Sequence, residues 1–171
     1  MTEPCHDHPL HRGARAELLR SLLESIEAET GDLSGTPGGI DLSVDQCEAL
    51  YLLAHRHYSA EDYPEARKLF ALMAMASSVD VRAHMGLAAC LQMEQEHERA
   101  VRHYFLASLL DLTQPAPVIH SAECLLALGR TEDAMKALTL ARSQAEACLE
   151  HHGLLPRIDG LKAAVAAGTP G

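Results

Sequence analysis

Small residues recur in this sequence at a fixed spacing of 34 residues. Ala66, Ala100 and Ala134 follow one another at this step, and a large residue stands four positions after each of them. Those large residues are Phe70, Tyr104 and Leu138. Three further sets keep the same step: Leu53, Leu87 and Ser121; Ala54, Ala88 and Ala122; Met73, Ala107 and Ala141. Such a period is typical of tetratricopeptide repeats, each of which is a hairpin of two helices, A and B.

The period predicts an all-α fold, a tetratricopeptide-repeat solenoid of three helical hairpins. The small residues allow helices A and B to approach closely, and the bulky residue one turn later fills the groove beside them. Composition agrees, because Ala and Leu dominate while aromatic residues make up only 4% of the chain. That balance favours helices over sheets.

Composition and period together divide the chain into segments. Before the repeats we predict a flexible N-terminal tail at 1–13, an amphipathic N-terminal helix at 14–29 and a linker rich in Gly and Pro at 30–42. The repeat domain is predicted at 43–167, with repeats at 47–80, 81–114 and 115–148 and a C-terminal capping helix at 149–167. This last helix is expected to break near HHGLLPR and to cover the open face of the third repeat.

Local signals mark the helix ends. Ser43 and Gln46 match a capping box, in which each side chain bonds an orphan backbone amide of the other residue. A second box is predicted at Asp62, with Glu65 as its partner. The turns between helices A and B fall at three equivalent positions, and only the last holds the expected glycine: Glu61, Gln95 and Gly129.

Charge and hydropathy exclude some functions. The formal net charge is −10, so a cationic nucleic-acid-binding face is not expected and nucleic acid is not a predicted partner. No apolar stretch approaches the roughly 18 residues of a membrane span, so direct membrane insertion is not expected either. Five cysteines without a CxxC pair, and no signal peptide, favour free thiols in the cytoplasm.

The sequence points away from an enzyme and from a metal or cofactor. None of the common catalytic motifs is present. The N-terminal tail could gather zinc in principle, through Cys5, His6, His8 and His11, but no second cluster at metal spacing accompanies them. Cys90 and Cys124 occupy equivalent repeat positions beside helix contacts, and we interpret them as structural thiols.

A stack of helical hairpins curves, and its A helices line the hollow side. Positions 2, 5, 9 and 12 of each repeat point there, and they mix aromatic, aliphatic and polar residues suited to an extended apolar peptide. The residues predicted to bind it are Tyr51, His55, Tyr58, Arg82, Met85, Ala89, Gln92, Ile119 and Glu123. The remaining residues at these positions are Glu48, Ala116 and Leu126.

Interpretations of these residues as packing residues without a ligand also stay open. Tyr51 and Tyr58 could pack against the N-terminal helix, and Met85 and Ile119 could be ordinary core residues. A terminal carboxylate is not an expected ligand, since a carboxylate clamp would place Lys, Arg and Asn at these positions. The residues that stand there are Tyr51, His55, Gly86, Ala116 and His120.

Three stretches between Leu50 and about Ala145 resemble a known family. They are ALYLLAHRHYSAEDYPEARKLFALM, VRAHMGLAACLQ and HSAECLLALG, in order and at the repeat spacing. They are similar to the class II chaperones of bacterial type III secretion, the SycD/LcrH family. The resemblance implies a chaperone in the bacterial cytoplasm whose partners are the two hydrophobic, pore-forming translocator subunits.

The resemblance also implies a binding mode. Family members hold a short extended translocator segment, roughly P-x-L-x-x-P, in the concave groove and so keep the translocators soluble and export-competent. Carried over by position, the pockets would be lined by Tyr51, His55, Tyr58, Met85, Ala89 and Gln92.

Two questions remain open at this point. Family members often dimerise through the N-terminal segment. We therefore expect a homodimer through one apolar stripe of the N-terminal helix. Alternatively, this helix could fold back on its own repeats. The stripe consists of Leu18, Leu19, Leu22, Leu23 and Ile26. The alternative functions are a regulatory adaptor that binds a transcription activator or another protein, and a plain scaffold without secretion cargo.

Overall fold

The computed structural model describes residues 42–168. Within them the chain forms seven α-helices, one 3-10 helix and no strand. The helices are α1 (Val44–Ser59), α2 (Tyr63–Ala76), α3 (Val81–Met93), α4 (His97–Leu110), α5 (Ala116–Ala127), α6 (Thr131–Ala147) and α7 (Leu155–Ala166), with the 3-10 helix at Leu149–Leu154. The predicted all-α class is confirmed. The predicted tail, the N-terminal helix with its Leu18–Ile26 stripe, and nearly all of the linker lie outside the described residues.

Consecutive helices pack against one another from α1 to α6, and α7 packs back on α6. The helix pairs α1/α2, α3/α4 and α5/α6 are therefore the three hairpins, with α1, α3 and α5 as A helices and α2, α4 and α6 as B helices. Helix α1 also contacts α3 directly, which brings neighbouring A helices side by side.

The 34-residue period places its small residues at the closest helix approaches. Ala66, Ala100 and Ala134 have no exposed surface, because each lies where a B helix meets its neighbours. The large residues four positions later, Phe70, Tyr104 and Leu138, are buried too, with at most 3% exposure. The spacing that predicted the fold is thus the spacing of the core.

Two groups of buried side chains make up that core. The first spans the first two hairpins and includes Phe70 and Tyr104, and the second joins the third hairpin to Ile158 of α7. Val101 of α4 packs against both groups. Burial of Ile158 explains why a helix beyond the last hairpin is needed, since without it that apolar face would meet water.

All three turns inside the hairpins close in the same way despite their different residues. Glu61, Gln95 and Gly129 have φ values of 60°, 63° and 72°. The amide that follows each of them donates to a carbonyl five residues back, for example from Glu96 to Leu91 at 2.8 Å. This is the Schellman arrangement, which normally selects glycine. Two of the repeats therefore hold a left-handed residue with a side chain, at a conformational cost of about 1 kcal/mol each.

The two predicted capping boxes have different outcomes. The box at Ser43 is confirmed, because the Gln46 amide donates to the Ser43 hydroxyl and the Ser43 amide donates to the Gln46 side chain. The box at Asp62 is wrong: its side chain makes no capping bond. The Asp62 carboxylate instead faces His57 Nδ1 at 2.9 Å, and this contact ties the turn to α1.

Cys90 and Cys124 are free, with no exposed surface, and burial raises the pKa of each thiol to about 12. Both therefore stay protonated and act as small apolar core residues, as expected.

In the part of the chain that the structure describes, no helix is both long and apolar enough to cross a bilayer.

Candidate peptide-binding groove

The A-helix face carries a cavity of 290 Å³ between α1 and α3. This volume lies at the lower end of the range for small-molecule pockets, about 300–1,000 Å³, so it suits one or two side chains better than a whole cofactor. Its lining residues are Tyr51, His55, Tyr58, Phe70, Val81, Arg82, Met85, Gly86 and Ala89. Six of the nine predicted binding residues thus line one cavity: Tyr51, His55, Tyr58, Arg82, Met85 and Ala89.

Aromatic rings from α1 form one wall of this cavity. The Tyr51 ring lies 6.1 Å from the His55 ring and meets the Phe70 ring edge-on at 6.2 Å. Tyr58, one turn beyond His55, is braced edge-on by Tyr63 at 5.4 Å. These three α1 residues share a face because their spacing of three and four follows the helical repeat.

Arg82 closes one end of the cavity without adding a free charge. Its guanidinium lies 4.9 Å above the centre of the Tyr51 ring, within cation–π range. It also donates to Glu48 at 2.7 Å and pairs with Asp80 at 3.3 Å. Because two carboxylates already surround it, the cation positions Tyr51 and ties α1 to α3, and the cavity remains suited to an apolar guest.

Three lining residues were missed by the sequence analysis as binding candidates: Phe70, Val81 and Gly86. Phe70 belongs to a B helix, and the prediction drew only on A helices. Gly86 has no side chain to contribute, yet a Cβ there would overlap the Phe70 ring. A glycine in the interior of a helix, beside the predicted groove residue Met85, was the signal that could have revealed it.

The remaining three predicted residues lie elsewhere. The structure places Ile119 in the core, with 1% exposure, among buried side chains of α5, α6 and α7. Gln92 accepts a hydrogen bond from the Tyr104 hydroxyl at 2.8 Å. Glu123 accepts from His120 and from Arg157 of α7. The polar side chains of Gln92 and Glu123 are therefore engaged by the protein itself.

We call the contact between repeats 1 and 2 the first junction and the contact between repeats 2 and 3 the second junction. The first borders the cavity, whereas the space beside the aromatic ring at the second is occupied by a histidine side chain. At the second, the rings of Tyr104 and His120 stack with centres 5.4 Å apart. Burial acts to raise the pKa of Glu123, but hydrogen bonds from His120 and Arg157 outweigh it and hold this pKa below its ordinary value. The carboxylate therefore stays ionised and links α5 to α7.

No site for a metal emerges in the described part of the chain, residues 42–168. No three of its His, Cys, Asp and Glu side chains are placed so that they could hold an ion together. The tail residues Cys5, His6, His8 and His11 lie outside these residues.

The hairpin stack and the cavity on its A-helix face define a tetratricopeptide-repeat protein with a groove for part of another chain. In sequence, 125 residues are 30% identical to low calcium response locus protein H of Yersinia pestis, covering 73% of this chain and 74% of that protein. The chain belongs to the LcrH/SycD family of type III secretion chaperones. No family model matches it.

Solved structures show the same architecture. PcrH of Pseudomonas aeruginosa, in complex with the chaperone-binding region of PopD, is 35% identical, with a TM-score of 0.71 over 74% of this chain and 95% of PcrH. SycD of Yersinia enterocolitica, in complex with a peptide of the translocator YopD, is 30% identical, with a TM-score of 0.70 over 74% of this chain and 96% of SycD. An alternative dimer of SycD is also known.

Proposed function

We propose that this protein is a chaperone of type III secretion translocators, which binds an extended segment of a translocator on its A-helix face. Its partners are translocators of the kind that PcrH and SycD bind, represented by PopD, PopB and YopD. The role is one of binding, without an enzymatic step. It is carried out in the bacterial cytoplasm, where translocators await export.

The observation that carries this proposal is the cavity between α1 and α3. Its walls are aromatic and aliphatic, and its one strong charge, on Arg82, is already paired. An apolar side chain of a client leaves water on entering such a space, which favours binding by about 1.5–3 kcal/mol. The client backbone on either side can remain extended along the A helices.

Tyr51 and Tyr58 are proposed as the principal client contacts, with His55, Arg82, Met85 and Ala89 around them. A homodimer through the Leu18–Ile26 stripe remains a prediction, as does the segment plan of the chain. Binding of a transcription activator remains an alternative that no particular feature of the groove favours.

The test is a binding measurement with a peptide that spans the chaperone-binding region of PopD. Replacing Tyr51 and Tyr58 together by Ser removes two apolar ring surfaces, so we expect a loss of affinity of about 100-fold or more, read by fluorescence anisotropy. Leu140→Ser is the matched control, because Leu140 is 51% exposed and does not line the cavity. It should leave the affinity unchanged.

Two results would count against the proposal in different ways. A double variant that is folded by circular dichroism and binds as tightly as the parent would show that clients bind elsewhere. Failure of the parent protein to bind PopD, PopB or YopD segments would remove the translocator-chaperone function itself.

A further inference from the structure

Gly86 and Phe70 form a pair that recurs, in altered form, one repeat later. Phe70 and Tyr104 are 34 residues apart, and so are Gly86 and His120. At the first junction the aromatic ring on the B helix faces a glycine on the next A helix. At the second junction the equivalent ring faces a histidine and stacks on it.

The two pairs have opposite effects on the space beside them. The Phe70 ring lies over the backbone of Gly86, where a Cβ would overlap its atoms Cδ1, Cε1 and Cζ. With no side chain at position 86, the ring can lie back against α3 and the cavity opens in front of it. At the second junction the His120 ring occupies the corresponding position, and Tyr104 is held from its other end by Gln92.

Backbone geometry does not explain this glycine. Glycine in a helix interior is destabilising relative to alanine, and Gly86 is not among the residues with a positive φ. The remaining reason is space, because the approach of an aromatic ring to a helix backbone requires the absence of a Cβ. Phe70 is 3% exposed and is the lining residue that comes from a B helix, so it forms the floor of the cavity.

We propose that the Phe70–Gly86 pair is the specificity determinant of the groove: it sets the depth of the cavity and hence the size of the client side chain that enters. The Tyr104–His120 pair makes the second junction unable to accept such a side chain. This inference rests on the proposed function. It adds that the position of the client's buried side chain along the solenoid is decided by one glycine.

The test is a double-mutant cycle between the protein and the PopD peptide. Each apolar side chain of the peptide is truncated to Ala in turn, and each peptide is titrated against the parent protein and Gly86→Ala. The added methyl pushes the Phe70 ring into the cavity, so we expect about a tenfold loss of affinity for the unmodified peptide. For the one peptide that lacks the entering side chain the loss should be less than about twofold.

Two further variants separate a specific clash from general damage. Gly86→Ala combined with Phe70→Leu removes the ring that the methyl meets, and it should restore affinity to within about threefold of the parent. Gly160→Ala is the matched control, since a Cβ at this α7 position meets nothing within 4 Å. It should not change the affinity of any of the peptides.

Several outcomes would overturn the inference. Equal losses for every peptide with Gly86→Ala, or no rescue by Phe70→Leu, would show that the pair does not select the side chain. A crystal structure of Gly86→Ala without client decides the geometry independently: the ring should be displaced into the cavity, and an unmoved ring refutes the proposal. This crystallographic test still applies if the parent protein binds no translocator segment. If Gly86→Ala does not fold, Phe70→Leu alone is tested. It must shift the preference of the groove toward larger client side chains, and an unchanged preference refutes the proposal.

Discussion

The first and second junctions of this solenoid are built on the same plan and have opposite characters. Both place an aromatic ring from a B helix against position 6 of the next repeat. At the first, Phe70 faces Gly86 and borders an open cavity. At the second, Tyr104 stacks on His120 and bonds to Gln92, and the neighbouring Glu123 is engaged by α7.

In this repeat architecture, different residues serve folding and binding. The buried alanines and rings occur at every junction, so they hold the solenoid together everywhere. Binding capacity depends on whether the space beside the ring is filled, and a single side chain at position 6 fills it or leaves it open. The first junction is therefore the proposed client site, while the second fastens the third hairpin and α7 to the rest of the stack.

The largest difference should come from deleting the two rings. Tyr104→Ala is expected to lower the free energy of unfolding by about 4 kcal/mol, because it leaves a closed void and an unpaired Gln92. Phe70→Ala should cost less, about 3 kcal/mol, since its void merges with an open cavity that water can enter. Urea denaturation followed by circular dichroism measures both, with Leu140→Ala as an exposed control. Equal costs would mean that the two junctions are equally closed.

Acid should weaken both junctions at once, because both depend on repeat 2. Within it, His84 of α3 and His103 of α4 are 2% and 4% exposed, with their Nδ1 atoms 3.4 Å apart. His84 Nε2 faces the Ser78 carbonyl at 2.9 Å and donates there, so a neutral His84 accepts at Nδ1 from His103. The buried pair is thus satisfied with one proton on each ring.

The pKa values give the sign of this effect. Burial lowers the pKa of His84, an effect that the hydrogen bond to the Ser78 carbonyl and the charge of Asp80 oppose. Burial, His84, Arg99 and Arg102 lower the pKa of His103 from 6.5 to about 3. The unfolded chain takes up protons below pH 6.5 while the folded protein does not, so stability falls as the pH falls from about 6.5.

We expect the free energy of unfolding to be about 2 kcal/mol lower at pH 5 than at pH 8 from His103 alone, and the lowered pKa of His84 adds to this loss. Urea denaturation at both pH values measures the difference. His103→Asn keeps a donor near the Nδ1 position but does not titrate, so its pH dependence should be shallower. The exposed His152→Gln is the control and should behave as the parent protein does. A parent protein equally stable at both pH values would contradict the neutral pair.

A smaller effect should separate the hydroxyl of Tyr104 from its ring. Tyr104→Phe keeps the stack on His120 and removes the bond to Gln92, so the expected loss is about 1 kcal/mol in unfolding free energy. Its affinity for the PopD peptide should match the parent protein within about twofold, because Tyr104 does not line the cavity. A large loss of affinity would show that the client also reaches the second junction.

The smallest effects concern two ion pairs, each joining residues 34 positions apart: Glu48 with Arg82, and Glu123 with Arg157. The Glu123 side chain is 23% exposed and that of Glu48 is 51% exposed, so screening by water weakens the Glu48 pair more. Glu123→Gln should cost about 1 kcal/mol and Glu48→Gln less than about 0.5 kcal/mol. Thermal unfolding at low and high salt checks this, since the larger cost should shrink with salt. A larger cost for Glu48→Gln would contradict the stronger screening of the Glu48 pair.

The helices, their pairing and the face that carries the candidate site could be predicted without coordinates. These properties are local or periodic: a small residue every 34 positions marks each close approach, and helical spacing sets Tyr51, His55 and Tyr58 on one side of α1. Such information is contained in one helix or repeated in each hairpin, so it can be read without coordinates.

Which positions on that face are open depends on how the helices pack together. Ile119 and Met85 are equivalent in pattern, yet one is buried in the core and the other lines the cavity. Gln92 and Glu123 are engaged by Tyr104 and Arg157, which come from other helices. The cavity floor, Phe70, comes from a helix that the pattern assigned to the core. The physical reason is that open space depends on side chains from several helices at once, and the period of any single helix does not contain their arrangement.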